Sequence, residues 1–123
     1  MIDTVAAVVF EDSTFSLMAR FEIDGANAQQ ADVSSISIKA WDVDDLTTEV
    51  LDTSLDKTQV VYDTLQTDSR WSEDSTGYNF RYDVEDTVCA SAGIYLFRVT
   101  VNTTGGKIPR MQWRITARKL EGS

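Results

Sequence analysis

The chain contains no histidine. That absence removes the commonest general base, the commonest zinc ligand and every nucleophile activated by an imidazole. Cys89 is the only cysteine, so no disulfide can form within the chain. One thiol without histidine also cannot build a structural zinc site. Proline occurs once, at Pro109, and no segment approaches the ~20 apolar residues of a membrane helix. Met1-Ile2-Asp3-Thr4-Val5 shows no basic region and no long apolar run, so the expectation is no signal peptide and folding in a reducing cytoplasm. The triplet Asn102-Thr103-Thr104 then reads as turn chemistry rather than a glycosylation site. Gly105-Gly106-Lys107 lacks the upstream glycine and the following Ser/Thr of a phosphate loop. These gaps lead to the expectation of a non-enzymatic protein with no catalytic residue, no cofactor and no metal.

What is abundant is negative charge. The 123 residues carry 11 Lys/Arg against 20 Asp/Glu, a net charge of −9. Such a chain repels nucleic acid and anionic lipid through its average field. The charge is unevenly spread. Residues 91–123 hold six cations (Arg98, Lys107, Arg110, Arg114, Arg118 and Lys119) and one acid, Glu121, while residues 1–90 have a balance of −14. Either the last two strands pair with acidic neighbours inside the fold, or a basic edge meets the acidic flank of another copy or partner.

At 42% hydrophobic residues, the chain has enough apolar surface for one packed domain over residues 1–123. Its dominant pattern has period two, which puts alternate side chains on opposite faces of a β-strand. Phe15, Leu17, Ala19, Phe21 and Ile23 alternate with polar residues and Met18. Tyr95, Phe97, Val99 and Val101 alternate with Leu96, Arg98 and Thr100. Met111, Trp113, Ile115 and Ala117 alternate with Gln112, Arg114, Thr116 and Arg118. Further strands are expected at Val5–Phe10, Val33–Trp41, Thr58–Tyr62 and Tyr78–Tyr82, giving about seven with no convincing amphipathic helix. Asp42 to Asp56 reads as an acidic, threonine-rich loop. Asp24-Gly25 reads as part of a longer loop to Ala31 rather than a two-residue hairpin, because several residues follow it. The second and last strands are the candidate free edges. The expected fold is all-β, an immunoglobulin-like antiparallel β-sandwich. Gly93 and Tyr95 open their strand as in the corner of such a sandwich, where the tyrosine hydroxyl bonds back to upstream backbone.

The abundant carboxylates suggest two chemistries. A glycosidase pair needs a cleft that holds one carboxyl protonated, and a domain this small rarely has one. Asp42, Asp44 and Asp45 offer hard oxygens for Ca²⁺, but the glycine and terminal glutamate of a calcium loop are missing. A solvated acidic loop is the plainer reading. Among the tryptophans, Trp113 falls in register with core residues. Trp41 faces away from Ile38 and is a candidate interface anchor. Trp71 is expected to tie the Asp68–Gly77 turn to the core.

The order of these segments resembles that of short immunoglobulin-like proteins of tailed bacteriophages. The resemblance rests on Phe15–Phe21, Val33–Ile38 before an acidic turn, Val60-Val61-Tyr62-Asp63, Trp71 ahead of Gly77-Tyr78-Asn79-Phe80, and the Gly93/Tyr95 corner. It implies a virion structural role, as a capsid decoration (cement) protein or a neck, tail or baseplate adaptor. It also implies localisation in the particle and partners among other virion proteins or copies of itself. The interface candidates are Trp41, Arg98, Arg110, Arg114, Arg118 and Lys119. A stand-alone carbohydrate- or cell-surface-binding module is the alternative.

Overall fold

Ten strands and two single turns of helix organise the chain in the computed structural model, which describes residues 5–68, 71 and 75–120. In order they are β1 (Val5–Phe10), β2 (Phe15–Ala19), β3 (Glu22–Ile23), β4 (Ala26–Asn27), a 3-10 turn (Gln30–Asp32), β5 (Val33–Asp42), β6 (Asp45–Leu55), α1 (Lys57–Val60), β7 (Val61–Gln66), β8 (Tyr78–Val84), β9 (Gly93–Thr103) and β10 (Arg110–Arg118). Eight of the strands form two sheets. One has the order β1-β10-β9-β5-β6 and the other β2-β8-β7, while β3 and β4 make a separate ribbon. The protein is therefore all-β. Within the larger sheet β1 runs parallel to β10 and the other pairs are antiparallel.

The alternation in the sequence becomes the burial pattern. Ile36, Ile38 and Ala40 of β5, Tyr95 to Val101 of β9 and Met111 to Ala117 of β10 send every second side chain into one core. Leu17, Phe80 and Val84 meet them from the three-stranded sheet. Two ring contacts tie the sheets together. Phe15 packs edge-on to Phe97 at 5.8 Å, and Phe80 lies 5.8 Å from Trp113. Trp113 is 3% exposed, the core position that its register demands. Trp71 is half-buried and rests on Tyr78 at 5.7 Å. Much of the turn around it, at residues 69, 70 and 72–74, lies outside the described residues.

Several expectations fail for identifiable reasons. The stretch read as an acidic loop holds β6, an eleven-residue strand paired along β5. Thr47, Thr48, Val50, Leu51 and Thr53 suit a pleated strand, and that preference outweighs the acids between them. Leu51 and Leu55 reach the core, whereas Asp45, Glu49 and Asp52 stay in solvent on the sheet edge. Leu51 opposes Ala40 and Glu49 opposes Trp41, so Val50 is an extra residue in a bulge; charge and bulges both protect an edge strand from unwanted pairing. The strand expected from Thr58 starts later, because Asp56 caps α1 by accepting from the Thr58 backbone N–H at 2.9 Å.

The long second strand is also interrupted. It ends at Ala19, and Glu22–Asn27 folds out as a two-residue hairpin. Asp24 and Gly25 both have positive φ, +56° and +81°, the turn that Asp-Gly favours between twisted strands. The hairpin exists despite the residues that follow it. Finally, β10 is an interior strand: β1 covers the edge that was expected to be free. What β10 offers to a partner is its outward face.

Candidate interaction surface

The outward face of the five-stranded sheet collects most of the residues singled out from the sequence. Counting across the strands, one straight row reads Arg114, Leu96, Trp41, Glu49, each the Cα partner of the next. The neighbouring row reads Gln112, Arg98, Lys39, Asp52. A third begins Arg110, Thr100, Ser37. Toward the other end, Val8 is paired with Thr116 and Phe10 with Arg118. Val8 is 59% and Phe10 54% exposed. Strand register thus brings Trp41, Arg98, Arg110, Arg114 and Arg118 onto one face. Lys119 follows the last strand and is exposed beyond it.

Arg98 is the organised member of this set. Its Nε and Nη2 donate to Gln112 Oε1 at 3.3 and 3.2 Å, and its guanidinium lies 5.2 Å from the centroid of the Trp41 ring. The stacked guanidinium covers part of an indole that is already only half exposed. Arg110, Arg114 and Arg118 are exposed and make no ion pair among the described residues. Of the cations after residue 90, Lys107 has an acidic partner, Asp24. Lys39 reaches Glu49 at 3.7 Å, with both side chains well exposed. Such a pair contributes little to stability.

The three-stranded sheet treats its outward charges differently. Arg81 forks onto Asp83 at 3.0 and 2.8 Å, and Ser16 Oγ donates to Asp83 Oδ1 at 2.6 Å. Its charges are internally satisfied, whereas those of β10 point outward without a counter-charge among the described residues.

The corner residues sit behind this face. Tyr95 is 4% exposed, and its Oη donates to the Ser91 carbonyl at 2.7 Å, four residues upstream. Gly93 does not have a forced conformation. A Cβ there would meet Asp42 Oδ2 at 3.8 Å and Tyr95 Cε2 at 3.9 Å, ordinary contact distances. Glu11 closes the same end by accepting from the Ala92 and Leu120 backbone N–H groups, both at 3.1 Å.

The acidic turn is occupied with its own backbone. Asp42 Oδ1 accepts from Asp44 N–H at 3.0 Å, and Asp45 Oδ1 accepts from the N–H and hydroxyl of Thr47. Those Thr47 bonds hold the Asp45 carboxyl below its usual range. Among the described residues, no group of three or more His, Cys, Asp or Glu is placed to hold a metal ion. Cys89 is fully buried, and burial pushes its thiol up to about 12. It is therefore a protonated core residue at neutral pH rather than a nucleophile. A groove lies between β5 and β6, lined by Ser34, Ser35, Ser37, Ser54, Asp56 and Lys57; its two charged groups are engaged elsewhere, Asp56 accepting from the Thr58 N–H and hydroxyl and Lys57 donating to the Val33 carbonyl at 2.7 Å.

Leu96, Glu49 and Asp52 belong to the face and were not singled out from the sequence. Leu96 was readable, because it alternates with core residues that flank it on both sides. The two acids depended on finding β6. No protein-family model matches the chain, and a search of the curated proteins finds no match.

Proposed function

We propose that this chain is a non-enzymatic, immunoglobulin-like β-sandwich that works by being built into a larger assembly, as a structural component of a tailed-bacteriophage particle. The observation that carries the reading is the outward face of the five-stranded sheet. On a chain of net charge −9, it concentrates Arg110, Arg114 and Arg118 without ion-pair partners among the described residues, beside Leu96 and Trp41. Exposed arginine next to an aromatic anchor is the composition of a protein–protein contact. Unpaired charge of the minority sign selects an acidic partner and accelerates encounter with it.

The immunoglobulin-like part of the reading draws on topology. Support comes from a sheet ordered β1-β10-β9-β5-β6 beside one ordered β2-β8-β7, with β1 parallel to β10 and the corner tyrosine on β9. The count is eight strands in the two sheets rather than seven. The virion role rests on the resemblance of the segments and on a small β unit suited to repeated, symmetric placement. Sedimentation of intact particles tests it. The expected result is co-sedimentation at a fixed copy ratio, reduced by Arg114→Glu in a chain that still folds. Recovery of the protein only as free chains would overturn the virion role. The carbohydrate alternative predicts glycan-dependent quenching of Trp41; with a guanidinium stacked on that ring, no quenching is expected.

A further inference from the structure

The row Arg114, Leu96, Trp41, Glu49 runs basic, aliphatic, aromatic, acidic across four adjacent strands. Reversed, it is its own complement. We infer that this face docks on the same face of a second copy of the chain, about a two-fold axis lying parallel to the strands between β9 and β5. The inference deepens the assembly reading above and rests on it for the choice of face.

The geometry follows from symmetry. A two-fold axis along the strands exchanges left and right across the sheet but keeps each row at its own height. β10 of one copy then lies over β6 of the other, and β9 lies over β5. Arg114 faces Glu49 of the second copy, Leu96 faces Trp41, and each contact occurs twice, as an isologous interface requires. The other in-plane axis, across the strands, would stack β10 on β10 and bring arginines onto arginines. Charge therefore selects between the two arrangements. The neighbouring row adds Gln112 over Asp52 of the second copy. It also sets Arg98 near Lys39, but Arg98 is drawn onto Gln112 and Trp41, and Lys39 leans toward Glu49. That contact weakens the pairing without favouring a different register.

The available area is sufficient for a weak complex. The four opposed strands β10, β9, β5 and β6, each about 4.8 Å wide and with nine residues at about 3.3 Å rise, present a face of roughly 570 Å². Two such faces bury about 1,100 Å², at the low end for specific interfaces. Two chains of −9 repel at long range, yet physiological salt screens charges beyond about 8 Å. The interfacial pairs are closer than that. An interface of this size belongs to the weak, transient class, suited to copies held close together in an assembly.

The test is sedimentation equilibrium of the full chain, with far-UV circular dichroism and melting as controls for folding. Wild type should form dimers. Arg114→Glu and Glu49→Arg should each weaken self-association by about tenfold or more, since each reversal replaces two attractions by two repulsions. Mixing the two single variants should restore a one-to-one dimer, because every opposed pair is again of opposite sign. The double variant Arg114→Glu/Glu49→Arg should self-associate like wild type. A wild type that stays monomeric at concentrations on the order of 1 mM, or single variants that fail to associate when mixed, would overturn the inference. A monomeric protein that still co-sediments with particles would sink the self-pairing alone. A dimer that never co-sediments would sink the virion role alone.

Discussion

Replacing Asn79 is the most informative perturbation of this fold. Asn79 is 1% exposed on β8, opposite the point where the chain leaves β2. Its Oδ1 accepts from Phe21 N–H at 2.8 Å. Its Nδ2 donates to the carbonyls of Phe21 at 2.9 Å and Ala28 at 3.1 Å. One side chain thus clasps both ends of the Glu22–Asn27 hairpin. In Asn79→Ala, the Phe21 carbonyl keeps a bond from Ala28 N–H at 3.1 Å. Phe21 N–H and the Ala28 carbonyl lose their side-chain partner, and both residues are 1% exposed. At about 1–3 kcal/mol per unsatisfied buried group, with some relief from an entering water, the loss is about 3–4 kcal/mol. That is a large part of the ~5–15 kcal/mol that holds a domain together.

Asn79→Asp separates donor from acceptor. A carboxylate still accepts from Phe21 N–H, but it confronts two carbonyls without a proton to offer. Folding therefore favours the protonated acid and raises its pKa above the unfolded value of about 3.9. The sign follows: this variant is most stable below about pH 4 and loses stability as pH rises through the folded pKa. Urea titrations at acidic and neutral pH should show Asn79→Asp falling further below Asn79→Ala at pH 7 than at pH 4. A cost under about 1 kcal/mol for Asn79→Ala, or a pH-independent gap between the variants, would refute the clasp.

Tyr95→Phe keeps the ring and deletes the bond to the Ser91 carbonyl. Ser91 is exposed, so water can replace the donor, and chemical denaturation should show a loss of about 1–1.5 kcal/mol; no loss would mean that the corner hydroxyl is idle. Two glycine substitutions should diverge. Gly77→Ala puts a Cβ 2.5 Å from the Gln66 carbonyl oxygen at a φ of +106° and should cost more than about 2 kcal/mol, whereas Gly93→Ala should stay within about 0.5 kcal/mol; equal melting shifts would refute both. The buried Cys89 thiol should resist thiol reagents at pH 8 until urea unfolds the chain. Because its folded pKa lies above the unfolded one, its contribution is complete below about pH 8.5 and is lost as pH climbs toward 12. Native-state labelling at pH 8 as fast as unfolded-state labelling would contradict this.

The strands of β9 and β10 were legible because both flank a single core and bury one face each. Tyr95, Phe97 and Val99, like Met111, Trp113 and Ile115, announce their direction without help from tertiary structure. β6 was illegible because an edge strand buries little. Its inward residues, Leu51, Thr53 and Leu55, form a short run cut off on one side by the bulge at Val50 and interrupted by Asp52. The Asp24-Gly25 hairpin was missed for a different reason. Its two-residue pairing is too short to show a period, and what holds it is Asn79, some fifty residues away in sequence. Nothing local marks that asparagine as buried. The candidate face was half legible: the positive residues were visible as a composition shift, but their neighbours required the register.

The acids of β6 connect stability to assembly. Asp45, Glu49 and Asp52 keep an eleven-residue edge strand from pairing with stray strands, which is why an exposed edge can carry them at no cost to the core. Removing all three would leave Thr47, Thr48, Val50, Leu51 and Thr53 as an uncharged β-prone edge. Two of these acids also face β10 in the self-paired arrangement, Glu49 as the counter-charge of Arg114 and Asp52 opposite Gln112. Neutral replacement of Glu49 and Asp52 should then have two separable effects: weaker face-to-face dimerisation at equilibrium and faster aggregation on heating. Charge reversal to arginine would preserve edge protection, since any like charge on an edge repels strand addition, yet it would weaken dimers by about tenfold or more. A face that discriminates by sign and an edge that requires only charge can therefore be told apart with two substitutions at the same position.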